Sequence, residues 1–494
     1  MRLLCAAAVL LTVIAGLSAI APFGSEASFS ESDGAVFEYK TAGSGTAGSP
    51  YESTLLSVSS SEEVLTIPSA LEGYPLRYIT GGGGCLGVKA LVIPKTVLRI
   101  SSEAFSGFAD LERVYFTGDR PDMEPAVFPP GTELLHSQPS AGWGESSAVY
   151  YTGTAAAGDS VISYAIIEGY ATVTGLVHGT DVRIPKTVSG PGGSVAVTEL
   201  DQESFRYSGV VSVVLPEGIK RIGTRAFYGC ETLESAVIPD SLETVCDEAF
   251  RECPSLGNVN LGNIRFIGFE AFRMCGSFTS LIIPDTVTVM REGAFRVCPG
   301  VRVLVIGSGI SEIPASCFDY YAALESLEIK GKITVVGSNA FYVSHGSDNR
   351  LVSADLSDAV SIGGSAFVNR IALEEVILGN SLESIGSEAF SGCRGIVSIT
   401  FPETLKSIGD NAFYDCRSLR DAYFLGNMPT IGEGAFSGDT AIHTDSAHAG
   451  SWADYGGNVV IDGKSGTAVP IAVAIAFSAA VLFTLLFMLR RHRN

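Results

Sequence analysis

The sequence predicts a mainly β solenoid, built from coils of 22–23 residues in two arrays, with a signal peptide before it and one transmembrane helix after it. Three observations carry this prediction. An Ala-Phe pair recurs at a nearly constant spacing, an apolar run follows Arg2 at the N-terminus, and a charge-free apolar run precedes an arginine cluster at the C-terminus. Internal repeats of this length indicate stacked structural units rather than one globular core.

Residues 1–27 have the layout of a secretory signal peptide. A single basic residue, Arg2, precedes an apolar core that is too short to span a bilayer comfortably. Small residues favour cleavage after Ala27 over cleavage after Ala21, where Pro22 would follow the cut. The alternative is an uncleaved N-terminal anchor.

The repeat is marked by a phenylalanine that follows a small residue. Successive members are 22 or 23 residues apart, except for one spacing of 26 that coincides with a polar insertion at 344–349. We expect these rings to form an internal ladder opposite the longer strand of each coil, because equivalent positions of stacked repeats lie over one another. The members are Phe205, Phe227, Phe250, Phe272, Phe295, Phe318, Phe341, Phe367, Phe390, Phe413 and Phe436.

Each unit reads approximately L-x-x-V-x-I-P-x-x-[IVL]-x-x-I-G-x-x-A-F-x-x-C, as at 233–253. Short β-branched segments bounded by Pro and Gly predict strands and turns. The first, fourth and sixth positions of the unit should point inward and the fifth outward, because side chains alternate along a strand. The glycine should supply a backbone conformation that other residues resist.

These residues, in this order, resemble the BspA-like leucine-rich repeat, a class found in surface proteins of bacteria, archaea and some protists. The resemblance covers 205–436, and an outlying copy lies at 91–105. It implies a leucine-rich-repeat solenoid and adhesion-type or host-interaction roles.

Two arrays are predicted because two segments with similar sequences, each containing a tryptophan, occur where a run of repeats ends. We assign a short array with its cap to 31–152, a linker to 153–159 and a long array with its cap to 160–462. The caps would cover the last apolar coil of each array.

The C-terminus predicts a membrane anchor. Residues 463–467 form a short linker, and 468–489 are 22 apolar residues, enough to cross a hydrocarbon core of about 30 Å. The arginine-rich tail at 490–494 should stay in the cytoplasm. We therefore expect a single-pass plasma-membrane protein whose N-terminal ectodomain lies outside the cell.

Six cysteines lie three residues after a ladder phenylalanine and should stack in one column. We favour free, buried, small apolar side chains, because the spacing is that of the repeat and stacked side chains point the same way. Disulfides remain the alternative in an exported protein. The six are Cys230, Cys253, Cys275, Cys298, Cys393 and Cys416.

The rest of the chain suggests no chemistry. A formal net charge of −21 disfavours nucleic acid as a partner. There is no H-E-x-x-H, Walker loop or G-x-S-x-G motif. His443 and His448 are close in sequence, but we expect solvated loop histidines there. We expect no enzymatic activity, no cofactor and no metal.

A ligand should bind the outward positions of the longer strands. Five of the nine fifth-position residues of the long array are apolar or aromatic, which favours an interaction surface, although β-branched residues also suit any strand surface. The leading hypothesis is adhesion to an extracellular protein or glycan, and the alternative is an envelope protein that self-associates laterally. The candidate residues are Val237, Asn260, Ile282, Val305, Glu328, Asp355, Ile377, Thr400 and Tyr423.

Overall fold

A computed structural model describes residues 28–32, 35–42, 52–60, 62–71, 74–81, 85–136, 148–149, 152–190, 192–347 and 349–462. The predicted signal peptide, membrane helix and cytoplasmic tail lie outside these residues. Within the described ranges, no helix is both long and apolar enough to cross a membrane. The described residues fall into two compact units: an N-terminal unit within 1–310 and 316–321, and a C-terminal unit within 311–315 and 322–494.

The N-terminal unit begins with a short run of coils. A meander of β1, β2 and β3 opens it, and short parallel strands follow in two sheets, ordered β3-β6-β8-β10 and β4-β7-β9-β11-β12. The strands are β1 (Ser28–Ser32), β2 (Ala35–Ala42), β3 (Glu52–Ser60), β4 (Val64–Thr66), β5 (Ala70–Leu71), β6 (Tyr74–Ile79), β7 (Ala90–Ile93), β8 (Arg99–Ile100), β9 (Arg113–Phe116), β10 (Asp122–Met123), β11 (Glu133–His136) and β12 (Ala148–Val149).

The same unit continues with a second meander and a longer run of coils. Antiparallel β13, β14 and β15 lead into the parallel order β15-β18-β20-β22-β23-β25, and β17 pairs antiparallel with β18. The other strands form the parallel orders β16-β19-β21 and β24-β26. The strands are β13 (Thr152–Ala157), β14 (Ser160–Ile167), β15 (Tyr170–His178), β16 (Asp181–Arg183), β17 (Thr187–Gly190), β18 (Gly193–Leu200), β19 (Ser212–Val214), β20 (Arg221–Ile222), β21 (Ser235–Val237), β22 (Thr244–Val245), β23 (Phe266–Ile267), β24 (Ser280–Ile283), β25 (Val289–Met290) and β26 (Val303–Ile306).

The C-terminal unit contains only parallel strand pairs among its described residues, with the orders β27-β29-β31-β33-β35-β37, β30-β32 and β34-β36-β38-β39. Its elements are β27 (Glu312–Ile313), β28 (Ser326–Ile329), β29 (Val335–Val336), β30 (Ser353–Leu356), β31 (Ser361–Ile362), β32 (Glu375–Leu378), β33 (Ser384–Ile385), β34 (Ser398–Phe401), β35 (Ser407–Ile408), β36 (Asp421–Phe424), β37 (Thr430–Ile431), β38 (Ala441–Asp445), the 3-10 helix η1 (Ala449–Trp452) and β39 (Val459–Asp462).

Most coils of the long array thus have one longer strand, one strand of two residues and a turn that carries the ladder phenylalanine. The predicted mainly β solenoid is confirmed. Main-chain hydrogen bonds link the turns of neighbouring coils. For example, Phe227 N–H donates to Ala249 O at 2.7 Å, and Phe250 N–H donates to Ala271 O at 2.7 Å. Backbone groups of the turns are satisfied in this way although the turns are not strands.

The phenylalanine ladder forms in both units. Within the N-terminal unit, rings from Phe205 to Phe295 stack with centroids 4.9–5.2 Å apart and interplanar angles of 1–12°. Within the C-terminal unit, rings from Phe341 to Phe436 stack at 5.0–5.3 Å. The spacing follows from the strand separation, which sets the distance between equivalent atoms of neighbouring coils.

The repeat glycine has a different role from the expected one. Gly409 does not adopt a left-handed conformation; instead, a Cβ on it would lie 2.3 Å from Ser387 N of the preceding coil. Gly432 is equivalent, with a Cβ 2.4 Å from Asp410 N. The glycine is therefore needed where two backbones approach closely. Cys246 occupies this position in another coil, so the requirement differs between coils.

Left-handed backbone occurs instead two residues after this position. Glu388 has φ of 59° and Asn411 has φ of 54°, and Gly434 follows with 65°. In the N-terminal unit, Arg225 and Glu248 occupy the same position with φ of 57° and 55°. Non-glycine residues in this region cost about 1 kcal/mol or more each, so the surrounding coils must hold the turn in this conformation.

The cysteine column is free and buried, as expected. Each of the nine cysteines among the described residues is unbridged. The structure adds a role that apolar packing does not include, because the Sγ of each column cysteine donates to the carbonyl oxygen of the ladder phenylalanine one coil earlier. Examples are Cys230 to Phe205 at 2.9 Å and Cys253 to Phe227 at 3.1 Å.

Other donors replace cysteine at the same position. Tyr321 donates its hydroxyl to Phe295 O at 3.0 Å, and Arg370 donates Nε to Phe341 O at 2.7 Å. Each of these side chains is buried and donates a hydrogen bond to the phenylalanine carbonyl of the preceding coil. This position therefore requires a hydrogen-bond donor as well as a buried side chain.

The buried thiols should be unreactive in the folded protein. Burial raises the pKa of Cys298 to about 12 and that of Cys416 to about 12, so the thiolate fraction at pH 8 is about one in ten thousand. We expect iodoacetamide to leave both residues unmodified in native protein and to alkylate both in guanidinium chloride, as measured by peptide mass mapping. Rapid native alkylation of either residue would contradict the buried column.

The segment assigned to a linker is largely a strand. Residues 153–157 lie in β13, which pairs along its whole length with β14, from Thr152 opposite Ala165 to Ala157 opposite Ser160. The linker assignment is corrected for these residues. Small side chains suit this edge because Gly153 lies against the Tyr164 ring, where a Cβ would come within 2.6 Å of the hydroxyl.

The predicted cap of the long array closes the C-terminal unit. Strand β39 pairs with β38 in parallel, and Trp452 is 2% exposed with its ring centroid 4.6 Å from that of Phe424. The indole therefore covers the last apolar coil. The tryptophan of the short-array cap, Trp143, lies outside the described residues.

Candidate binding face

The longer strand of each coil presents two side chains outward. In β24, Leu281 and Ile283 are buried, whereas Ile282 is 59% exposed and Ser280 is partly exposed. The fifth position of the repeat thus points outward as predicted, and the third position points the same way. We call the surface formed by these two columns the strand face, and describe it separately for each unit.

In the N-terminal unit, Val237, Asn260 and Ile282 are exposed and Val305 is half-buried. Ile282 lies directly opposite Val305 in the parallel pair β24-β26. Val303 is also exposed, although it occupies the third position and the predicted binding residues all occupy the fifth. Ile282, Val303 and Val305 therefore form an apolar patch across two neighbouring coils, and the coil of Asn258 and Asn260 separates it from Val237.

Asn260 belongs to a coil without a longer strand, since β21 ends at Val237 and β24 begins at Ser280. The side chain of Asn258 takes the place of strand pairing there. Its Oδ1 accepts from Thr279 N at 2.9 Å and Ser280 N at 3.3 Å. Neighbouring Gly and Asn residues explain the irregularity, because both are poor strand formers.

In the C-terminal unit the strand face is more acidic. Glu328 and Asp355 are exposed, and Ile377, Thr400 and Tyr423 are half-buried. Asp355 lies opposite Ile377 in β30-β32, and Thr400 lies opposite Tyr423 in β34-β36.

A border of mostly acidic side chains flanks the two columns. In the N-terminal unit, Glu234 and Arg302 are exposed beside the apolar column. In the C-terminal unit, most of the border is exposed, and Glu325 pairs with Arg350 at 2.8 Å. Its members there are Glu325, Glu374 and Arg420, whereas Glu375 and Asp421 occupy the third position and belong to the strand face itself.

His443 is not a solvated loop residue, contrary to the expectation. It extends the fifth-position column on β38, opposite Tyr423, with ring centroids 4.5 Å apart. Its Nε2 lies 2.8 Å from Asp421 Oδ1 and its Nδ1 lies 3.5 Å from Asp462 Oδ2. The parallel pairing of β36, β38 and β39 brings these groups together, which the sequence spacing alone could not show.

His448 is held in a turn, where its Nδ1 lies 2.8 Å from Asp445 Oδ1. The two histidines therefore belong to separate contacts. Across the described ranges, no group of three or more His, Cys, Asp or Glu side chains is arranged to hold a metal ion.

The strand face of the first run of coils is covered. Outward side chains Val92 and Tyr115 are each 5% exposed and pack in a buried cluster with Ala165 of β14. The Tyr115 hydroxyl donates to Glu168 Oε1 at 2.7 Å, and Arg113 Nη1 lies at the same distance from that oxygen. Burial, with Glu168 beside it, raises the pKa of Tyr115 to about 12. In the N-terminal unit, the accessible strand face therefore begins only after the hairpin formed by β14 and β15.

The family described as the BspA type leucine rich repeat region matches residues 198–265, 243–349 and 360–448, with six copies. The chain belongs to this leucine-rich-repeat family. The ladder phenylalanines and the six column cysteines lie within the matched residues.

Solved structures of bacterial leucine-rich-repeat proteins are similar to this chain. One from Bacteroides ovatus is 22% identical, covering 61% of this chain and 98% of its own, with a TM-score of 0.32. One from T. pallidum is 26% identical, covering 36% and 83%, with 0.34. A leucine-rich cell surface protein of Faecalibacterium prausnitzii is 18% identical, covering 90% and 97%, with 0.28. At these TM-scores the likeness carries no statement about ligands. No curated protein matches.

Proposed function

We propose that this chain is a cell-surface binding protein that engages a protein partner through the strand face of its long array. The observation that carries the proposal is the apolar part of the strand face in the N-terminal unit, where Ile282 is 59% exposed and Val303 41%, with Val305 opposite Ile282. Contiguous exposed apolar side chains on a protein of this kind are typical of interaction sites. The predicted signal peptide and anchor support a place outside the membrane.

A protein partner fits this surface better than a glycan. Branched aliphatic side chains offer apolar contact and no hydrogen bonds, whereas sugars are recognised largely through hydroxyl groups. The flanking Glu234 and Arg302 would form the polar rim that surrounds the apolar centre of most protein interfaces. The acidic strand face of the C-terminal unit, with Glu328 and Asp355, adds a preference for basic segments.

Replacing Ile282 and Val305 together by glutamate should weaken binding at least about thirtyfold. The substitutions replace two apolar anchoring side chains by charged ones at the centre of the contact. Loss of a central hot spot typically costs at least about 2 kcal/mol of binding free energy, or about thirtyfold in affinity. The full chain in detergent micelles would be titrated onto arrays of extracellular-matrix proteins and glycans. Saturable binding to a matrix protein that falls by this factor in the variant is the expected result.

Met274→Glu is the matched control. Met274 is an exposed apolar residue on a turn, away from the strand face, and Glu252 occupies the equivalent position one coil earlier with nearly the same φ. This variant should bind like the parent chain. Equal binding by the Ile282/Val305 variant would overturn the proposal. Concentration-dependent oligomers in sedimentation velocity, with no ligand bound, would favour lateral self-association instead.

A further inference from the structure

A cavity of about 510 Å³ lies in the N-terminal unit where its two runs of coils meet. The first run contributes Ser69, Lys95 and Thr117, and the second contributes the β13–β15 meander together with Asp201 and Gln202. The volume is within the range of small-molecule sites, which is about 300–1,000 Å³. The lining residues of the cavity lie between Ser69 and Gln202 in the sequence, before Val237, the first of the candidate binding residues on the strand face.

The lining is rich in hydroxyl groups. Besides Ser69 and Thr117, the meander supplies Thr152, Thr154, Thr172 and Thr174. Several of these residues lie on adjacent strands, since β13 pairs with β14 and β14 pairs with β15. Hydroxyls can both donate and accept, so such a lining can match the hydroxyls of a ligand in either sense.

Two buried polar side chains of the lining have no hydrogen-bond partner among the described residues. Gln202 is 7% exposed, and neither its amide nitrogen nor its amide oxygen is paired. Ser69 is 1% exposed, and its hydroxyl is unpaired. Burying unpaired amide and hydroxyl groups costs free energy, so their presence at one cavity points to a ligand that pairs with them.

The charged groups of the lining favour a neutral ligand. Lys95 Nζ lies 3.3 Å from Glu203 Oε2, but Glu203 also pairs with Arg206 at 2.9 Å. The Asp201 carboxyl is a second acidic neighbour of Lys95, so the two carboxyl groups together offset the two cations. Burial raises the pKa of Asp201 to about 6, against the lowering effect of its hydrogen bond from Gln202 N. Among the described residues of the lining, Lys95 and Asp201 are the charged groups, and their opposite charges disfavour an anion such as a phosphate or a carboxylate.

We propose that this cavity binds a small neutral polyhydroxylated ligand, a monosaccharide or a cyclic polyol. The side chains of Gln202 and Ser69 turn toward the ligand, so that the amide and the hydroxyl pair with its hydroxyl groups, and the threonines of the meander complete the contacts. This inference does not depend on the proposed strand-face function, because the two sites share no residue.

The test uses the full chain in a detergent without a sugar headgroup, such as an alkyl amine oxide. Glucose, galactose, mannose, N-acetylglucosamine, their methyl glycosides and myo-inositol would be titrated, with saturation-transfer NMR and calorimetry as readouts. At least one should bind saturably. Gln202→Met and Ser69→Ala should each weaken that binding about tenfold, the size expected for one or two lost hydrogen bonds.

Ser204→Ala is the control, because Ser204 also has a buried, unpaired hydroxyl but does not line the cavity. It should bind like the parent chain, and circular dichroism would verify the fold of all variants. Tighter binding of the methyl glycoside than of the free sugar would identify the terminal residue of a glycan as the source. Failure of every probe to bind, or binding unchanged in both cavity variants, would overturn the proposal.

Discussion

Replacing Glu248 by alanine is expected to lower the free energy of unfolding of the N-terminal unit by about 3–5 kcal/mol. The Glu248 side chain is 1% exposed and that of Arg225 is 9% exposed. Two contacts join them, Nε to Oε2 at 3.1 Å and Nη2 to Oε1 at 3.2 Å. Removing the carboxylate leaves the guanidinium buried without its bidentate acceptor, and urea unfolding followed by circular dichroism measures the loss.

Glu243→Ala is the matched control for this prediction. Glu243 pairs with Lys220 at 2.6 Å, but both side chains are about half exposed, so the expected loss is below about 1 kcal/mol. A double variant, Arg225→Met with Glu248→Met, should recover most of the stability lost by Glu248→Ala, because it removes both buried charges. A double variant less stable than Glu248→Ala would show that the pair is not the cause.

Replacing Phe250 by alanine is expected to cost about 3–5 kcal/mol, the usual range for a fully buried aromatic side chain. Phe250 is 0% exposed and lies between Phe227, at 4.9 Å, and Phe272, at 5.2 Å. The ring fills the interior of its coil, and its loss leaves a cavity that the rigid backbone ladder cannot close. Hydrogen exchange should show the loss concentrated in neighbouring coils, because each repeat contacts only its neighbours.

Phe436→Ala tests whether position in the ladder matters. Phe436 is partly exposed and stacks on one ladder ring, Phe413, at 5.2 Å. Its replacement should therefore cost clearly less than that of Phe250. Equal losses at the two positions would argue against a continuous stacked ladder as the main source of the stability of the core.

The contact between the two runs of coils has a consequence for binding. Val92 and Tyr115 occupy outward positions of the first run, yet the β14 hairpin buries them. A partner that binds outward strand positions must therefore use the later coils. The same contact creates the polar cavity, so one junction removes a binding surface and supplies a separate candidate site.

The repeat architecture, the phenylalanine ladder, the buried cysteines and the outward direction of residues such as Ile282 could all be predicted from the sequence. These features follow from local pattern, because a fixed period places equivalent residues in one column and strand geometry alternates their direction. The expected roles of the repeat glycine and of His443 were wrong for one shared reason. Both depend on how closely a neighbouring coil approaches, as Ser387 N approaches Gly409 and Asp421 approaches His443.

Which groups distant in sequence contact each other could be seen only in the folded chain. The donation from Cys253 to Phe227 O joins residues 26 apart, and the Arg113–Glu168 pair joins residues 55 apart. Such contacts depend on the register of stacked coils and on the path of a hairpin, neither of which leaves a periodic signal in the sequence. For the same physical reason the cavity around Gln202 is visible only once the two runs of coils are packed together.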